Sequence, residues 1–148
     1  MNGAVRVVVE SDGDLVEARA AARGLAASLG FSRTDATLIA TAISEIARNI
    51  VVHVGHGAIT MRSLVEHDRH GMEMVAEDNG IGIRDVDAAL QDGYAGRGGL
   101  GLGLPGARSL MDDFEIETGP DRGTRVTMTK WRTRDELELL RERRRKRT

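Results

Sequence analysis

The chain has 148 residues, 41 % hydrophobic but only 3 % aromatic, and no cysteine. This composition fits one domain with an aliphatic core, excludes disulfides and thiolate metal sites, and argues against an aromatic stacking platform for nucleic acid or sugar. The net charge is −2, although residues 132–147 hold eight basic and four acidic side chains. The acidic body argues against nucleic acid as a partner, and we expect a cytoplasmic protein without membrane insertion.

The N-terminal region predicts one strand and one helix. The β-branched run at residues 4–10 is typical of a strand. Ser11 and Asp14 have the spacing of a capping box, so a helix begins there, and Gly30 ends it. The apolar residues of this helix recur at helical spacing and are Leu15, Ala18, Ala22, Leu25 and Leu29.

A second helix is predicted from Ser32, which forms another capping-box pair with Asp35, to about His53. Its apolar stripe consists of Ile39, Ile43, Ile46 and Ile50. Glu45 and Asn49 lie four residues apart on a different face, so their side chains reach into the same space. The helix therefore has one buried side and one side that presents a carboxylate and a carboxamide.

The middle of the chain predicts an antiparallel hairpin. Residues 58–66 and 72–77 are predicted strands, joined by a polar turn at residues 68–71. Apolar and polar positions alternate along the second strand, which places Met72, Met74 and Ala76 on one face.

The rest of the chain opens with a long segment, residues 78–103, that is predicted to be mostly loop. Loops of this length inside a compact domain are usually functional lids or disordered segments. The elements predicted within and after it are a short helix at 86–91, a helix at 103–112 with Pro105 in its first turn, strands at 114–117 and 123–131 joined by a turn at 119–123, and a charged helix capped by Thr133 and Glu136.

Paired strands and paired helices predict an α+β fold. We expect a two-layer α/β sandwich, in which one mixed, mainly antiparallel sheet carries helices on one face. Residues 1–131 would form the domain, and residues 132–148 would form a charged helical extension.

Three features could carry chemistry: the pair Glu45 and Asn49, the turn D-N-G-I-G that begins at Asp78, and the glycine-rich run at residues 98–104. Each has an ordinary explanation when taken alone: two surface residues, a turn residue and a flexible loop. A Rossmann interpretation of the glycine run is weaker, because no predicted strand directly precedes it.

Each feature also has a sharper interpretation. The Asp78 carboxylate can accept a hydrogen bond from an exocyclic amine, and Gly80 and Gly82 let the backbone approach a flat ring closely. The glycine run leads into a helix start, where backbone N–H groups point at phosphate oxygens.

Glu45 and Asn49 on the second helix also suit a ligand that carries phosphate groups. An Asn49 side-chain oxygen is a suitable ligand for Mg²⁺, which also takes phosphate oxygens and water. Glu45, one turn earlier, is placed to accept a proton from a nucleophile.

Together and in this order, the three features resemble the nucleotide site of the GHKL ATPase superfamily over residues 38–131. The resemblance implies ATP and Mg²⁺, with Glu45 as general base and Asn49 as the Mg²⁺ ligand. It also implies that Asp78, Gly80 and Gly82 bind adenine and that Thr124 supports the adenine end of the site.

The glycine run corresponds to the lid over the phosphates in that superfamily. The implied lid residues are Gly98, Gly99, Leu100, Gly101, Leu102 and Gly103. Arg97, just before them, would either stabilise charge on the γ-phosphate or remain solvated.

Within the superfamily, the runs SEIARNI, AEDNGIGI, GGLGLGLPGARSLMDDF and GTRVTMTKW resemble the small RsbT-like switch kinases. This resemblance implies an ATP-dependent protein-serine kinase that acts on a STAS-domain antagonist. It also implies a released form that activates a partner serine phosphatase. From the length we expect neither histidine-bearing dimerisation helices nor a transducer domain.

Two features depart from the family core. One is the charged helix after Trp131. The other is His53, which lies four residues after Asn49 and either closes the helix as a polar residue or contacts the phosphate region.

Two rival functions stay open. One is an anti-sigma factor that sequesters a sigma factor and uses ATP to gate the complex. The other makes the basic C-terminal helix a contact for nucleic acid or acidic lipid, against the simpler view of a solvated helix with internal pairs such as Glu142 and Lys146.

Overall fold

A computed structural model describes residues 3–80, 103–118, 123–132 and 144–145 of the chain. Its elements in chain order are β1 (Val5–Val9), α1 (Asp12–Ser28), α2 (Arg33–His53), β2 (Gly57–Glu66), β3 (Arg69–Asp78), α3 (Gly103–Leu110), β4 (Asp113–Thr118) and β5 (Thr124–Trp131). The predicted helix at 86–91 lies outside the described residues. Of the predicted C-terminal helix, only Arg144 and Arg145 are described, and both are helical.

The five strands form one sheet in the order β1-β2-β3-β5-β4. All four pairings between them are antiparallel. Helices α1 and α2 pack against each other and against the sheet, and α3 packs against α2. The predicted two-layer α+β sandwich is therefore confirmed, and the described part of its sheet is antiparallel throughout.

The core lies between the helices and one face of the sheet. All four isoleucines of the predicted stripe on α2 are at most 4 % exposed. On the sheet side, the predicted alternation in β3 holds, because Met72, Met74 and Ala76 are buried. On the neighbouring strands the same face carries further buried residues, namely Val7, Ile59, Met61, Val126 and Met128.

Both capping predictions correspond to contacts in the structure. The Ser32 hydroxyl accepts a hydrogen bond from the backbone N–H of Asp35 at 3.0 Å. At α1, the Asp14 carboxylate accepts from the backbone N–H of Ser11 at 3.2 Å. These contacts satisfy N–H groups that a helix start otherwise leaves unpaired. In the described part of the chain, no helix has the length and apolar character needed to cross a membrane.

The predicted turn at residues 68–71 is wrong in its bounds. The strands continue to Glu66 and from Arg69, so the turn is the dipeptide at 67–68, with His67 at φ 57°. Gly71 lies in β3 opposite Trp131, and a Cβ there would be 2.7 Å from the Trp131 ring. Gly71, which the predicted turn included, therefore makes room for the indole ring that packs over it.

Candidate functional site

The candidate site lies at one end of the sheet, on the face that the helices cover. The register aligns one row of residues across all five strands, and that row is Val9, Gly57, Asp78, Thr124 and Thr118. Because successive side chains alternate between faces, the row shares its face with the buried core residues two positions along each strand. Asp78 and Thr124 are therefore cross-strand neighbours on the helix side.

Gly57 connects this row to helix α2. A Cβ at Gly57 would lie 2.8 Å from a side-chain carbon of Ile50 and 2.7 Å from the carbonyl oxygen of Glu77. The last turns of α2 thus pack directly onto β2 where it pairs with Asp78. The contact places Ile50, the residue after Asn49, over the row.

Asp78 ends the central strand with a half-buried side chain. Its Oδ1 accepts a hydrogen bond from the backbone N–H of Gly80 at 2.9 Å. Gly80 itself lies against Val54, because a Cβ there would be 3.0 Å from the Val54 side chain. This bond is the one expected of a turn residue. Since it occupies Oδ1, it also holds the carboxylate in one orientation, with Oδ2 as the second acceptor.

Gly123, just before β5, lies against the backbone of Asp78. Its φ is +73°, and a Cβ there would lie 2.2 Å from the carbonyl oxygen of Asp78. Only glycine adopts this backbone conformation readily and allows such an approach. Thr124 follows and pairs with Asp78, and its hydroxyl lies 3.0 Å from that of Thr118.

Helix α2 presents the predicted polar pair. Glu45 and Asn49 are both half-buried, one turn apart, on a face other than the isoleucine stripe. His53 is the last residue of α2 and is exposed. Both interpretations of His53, a polar residue that closes the helix and a contact to the phosphate region, stay predictions.

Helix α3 begins at Gly103, as predicted, with Pro105 in its first turn. Leu104 and Ala107 are buried, and the helix packs on α2. The remaining predicted site residues, Gly82, Arg97 and the lid residues 98–102, lie outside the described residues, so their roles stay predictions.

Asp78, Gly80 and Thr124 were predicted as site residues from the sequence and stay predictions, whereas Gly57 and Thr118 were assigned no role. The signal for Thr118 was present, because Phe114, Ile116 and Thr118 alternate and so share one face. Its meaning depends on the register between β4 and β5, which the sequence did not supply.

A family model for the histidine kinase-like ATPase domain matches residues 8–130. The chain belongs to this family. The matched region spans the whole sheet row, α2 and the end of β3, so every described candidate residue lies within the ATPase domain. ATP binding is the activity that this domain implies.

Proteins similar to this member of the ATPase family include a protein kinase and several anti-sigma factors. The serine/threonine-protein kinase RsbT of Bacillus subtilis is 40 % identical over 131 residues, which cover 88 % of this chain and 98 % of that protein. The anti-sigma F factor of Caldanaerobacter subterraneus is 32 % identical over 120 residues, or 77 % of this chain and 82 % of that one. The predictions of a GHKL domain of the RsbT-like group, and of an enzyme of the protein-serine kinase type, are confirmed.

A solved structure supports the fold. The crystal structure of the RsbU and RsbW domains of a Mycobacterium tuberculosis protein superposes with a TM-score of 0.61 at 22 % identity. The match covers 88 % of this chain and 33 % of that chain, so this chain spans about a third of the crystallised protein. The two proteins share the sandwich architecture of the ATPase family.

Proposed function

We propose that this protein is an ATP-dependent kinase that phosphorylates a serine of a STAS-domain antagonist in a partner-switching stress or sigma-factor pathway. The observation that carries the proposal is the position of Asp78. It ends the central strand on the helix side, between Gly57 and Thr124, where the end of α2 packs onto the row. The same helix carries a half-buried carboxylate and carboxamide.

Adenine would bind at the Asp78 end of the sheet. The carboxylate, held through Oδ1 by the Gly80 N–H, would accept from the 6-amino group through Oδ2. Gly80 and Gly82 would lie against the ring, and Thr124 would support the same edge. Residues 98–103 would cover the phosphates, and Arg97 would stabilise charge on the γ-phosphate.

The residues present fit a Mg²⁺ ion held at Asn49. Mg²⁺ usually keeps several waters and takes one or two protein ligands besides phosphate oxygens, so one carboxamide oxygen suffices. Asn49 is half-buried on α2, beside the residue that packs on the sheet row. When bound, the ion would neutralise charge on the phosphates.

Glu45 would act as the general base. It would accept the proton of the incoming serine hydroxyl as the oxygen attacks the γ-phosphorus and the bond to the β-phosphate oxygen breaks. The remaining catalysis is positioning and electrostatic stabilisation, as is general for phosphoryl transfer.

The similarity to a protein named as a kinase supports this function. A serine/threonine kinase matches nearly over its full length at 40 % identity. We further propose that the form released from its antagonist activates a serine phosphatase. Because the reaction consumes ATP, we propose the cytoplasm as its compartment.

A second candidate function is sequestration of a sigma factor with ATP as the gate. The match to anti-sigma F factors at 32 % identity favours it. Co-purification from the native cell separates the two: a STAS protein in the complex supports the antagonist kinase, and a sigma factor supports sequestration.

The kinase proposal is tested by transfer of labelled phosphate from ATP to candidate STAS proteins. A general base contributes about 10²- to 10⁴-fold, so Glu45→Ala should slow transfer by at least about a hundredfold, while ATP affinity stays within about threefold. The matched control is Glu17→Ala, which removes an exposed carboxylate from α1 and should leave the rate unchanged. A Glu45→Ala variant that transfers phosphate at the normal rate excludes Glu45 as the base.

A further inference from the structure

Thr118 ends edge strand β4 beside Thr124, and two contacts of its hydroxyl lie within the described part of the chain. Its Oγ1 donates to the carbonyl oxygen of Gly123 at 2.9 Å and lies 3.0 Å from Oγ1 of Thr124. Both threonines are half-buried and belong to the row that contains Asp78. The chemistry of these two contacts decides the direction of the second bond.

A threonine hydroxyl has one proton and two acceptor lone pairs. The Gly123 carbonyl can only accept, so the proton of Thr118 is committed to it. In the bond between the two threonines, Thr124 is therefore the donor and Thr118 the acceptor. Thr124 has no second hydroxyl proton, so its Oγ1 offers only acceptor lone pairs to any other group.

The Gly123 carbonyl is a fixed partner in this arrangement. Gly123 has a φ of +73°, and its α-carbon lies so close to β3 that a Cβ would be 2.2 Å from the Asp78 carbonyl oxygen. Because the backbone is confined there, the carbonyl cannot turn to release the Thr118 proton without moving the start of β5.

Thr124 lies directly across from Asp78 in the register. Side chains of such cross-strand pairs have Cβ atoms about 4.5–5.5 Å apart. A group that contacts the Asp78 carboxylate is therefore within reach of the Thr124 hydroxyl. This end of the sheet thus presents two acceptors side by side, a carboxylate and a hydroxyl whose proton points away.

We propose that Thr118 is a positioning residue that holds Thr124 as a hydrogen-bond acceptor, and so makes the site select a base with an exocyclic amine over one with a carbonyl. Two acceptors favour the 6-amino group of adenine and repel the 6-oxo group of hypoxanthine or guanine. A site that hydrogen-bonds one such group discriminates against an analogue that leaves its polar groups mispaired. The inference rests on the proposed ATP-binding function and adds the origin of its base specificity.

The test compares the affinities of ATP and inosine triphosphate, which carries a 6-oxo group and a protonated N1 in place of the 6-amino group and bare N1 of adenine. Calorimetry on the full chain gives the ratio of the two dissociation constants. In Thr118→Val, Thr124 loses its acceptor and can turn its proton toward the ligand. One hydrogen bond is worth about a three- to tenfold change in binding, so the preference for ATP should fall by that factor.

Three controls separate specificity from folding. Thr118→Ser keeps the hydroxyl and should keep the wild-type ratio. Thr127→Val alters a half-buried threonine of β5 on the opposite face and should also leave the ratio unchanged. If Thr118→Val does not fold, Thr118→Ala carries the same expectation.

The outcomes are distinguishable. If the wild type does not bind ATP, the proposed function fails and this inference fails with it. If the wild type binds ATP but the folded Thr118 variants keep the wild-type preference, only the role of Thr118 is overturned. A reduced preference that Thr118→Ser restores supports the inference.

Discussion

At the scale of single residues, Gly123 stands where a side chain would collide with the central strand. A Cβ there would lie 2.2 Å from the Asp78 carbonyl oxygen and 3.1 Å from the α-carbon of Asn79. Both atoms belong to the backbone, which cannot rotate away as the end of a flexible side chain can. The position of Asp78 therefore depends on a neighbour that has no side chain.

Replacing Gly123 with alanine should destabilise the fold and weaken ATP binding together. The positive φ and the collision each oppose a Cβ, and we expect a loss of at least about 2 kcal/mol in the free energy of unfolding. Urea denaturation measures it.

The matched control for this prediction is Gly24→Ala in the middle of α1. A Cβ at Gly24 would meet nothing within 4 Å, and alanine is the better helix former, so this change should stabilise by up to about 1 kcal/mol. The same sign for both variants would contradict the steric explanation.

Some of the site's residues could be predicted from the sequence and some could not. Asp78 and Thr124 stand in local motifs, so their neighbours in the chain identify them. Thr118 and Gly57 contribute through cross-strand register and through the packing of Ile50. Such contacts join residues far apart in the chain, and no local pattern encodes them.

At the scale of elements, α2 is the best example of local information. Its cap at Ser32 and its four buried isoleucines could be predicted from residue spacing alone. Capping and amphipathic periodicity are properties of a single helix, so a local pattern encodes them. The bounds of the hairpin were harder to predict. Gly71, which the predicted turn included, lies in the strand and packs against Trp131.

The Ser32 cap gives a prediction about α2. Ser32→Ala removes the acceptor for the Asp35 N–H and should lower the free energy of unfolding by about 1 kcal/mol. ATP affinity should not change, because Glu45 and Asn49 lie several turns further along. Urea denaturation and calorimetry measure the two effects.

Ser28→Ala is the control for this change. The Ser28 hydroxyl donates to the carbonyl of Leu25 within α1 and is exposed, so its loss should stay within about 0.5 kcal/mol. Equal losses from both serines would show that Ser32 does not act as a cap.

At the scale of the whole molecule, the sheet order brings the site together. β5 inserts between β3 and β4, so Thr124 pairs with Asp78 although 45 residues separate them in the chain. The sequence predicted the strands and the one-sided layer of helices, because burial patterns are local. It did not predict this strand order. The order depends on which strands pair across a long connection, and local patterns do not encode that.

The ATPase family model ends at residue 130, and the described sheet ends at Trp131. The predicted division into a domain at residues 1–131 and an extension at 132–148 stays a proposal.

Calorimetric titration with ATP and Mg²⁺ directly tests the central claim, that Asp78 is the acceptor for the adenine amine. In Asp78→Asn the side-chain oxygen can still accept from the Gly80 N–H, but an NH₂ donor replaces Oδ2 and would face the adenine amine. We expect the affinity for ATP to fall by at least about tenfold. The control Glu77→Gln changes the adjacent exposed carboxylate, which pairs with Arg125 at 3.5 Å, and should bind ATP as the wild type does. Wild-type affinity in a folded Asp78→Asn variant would contradict the account.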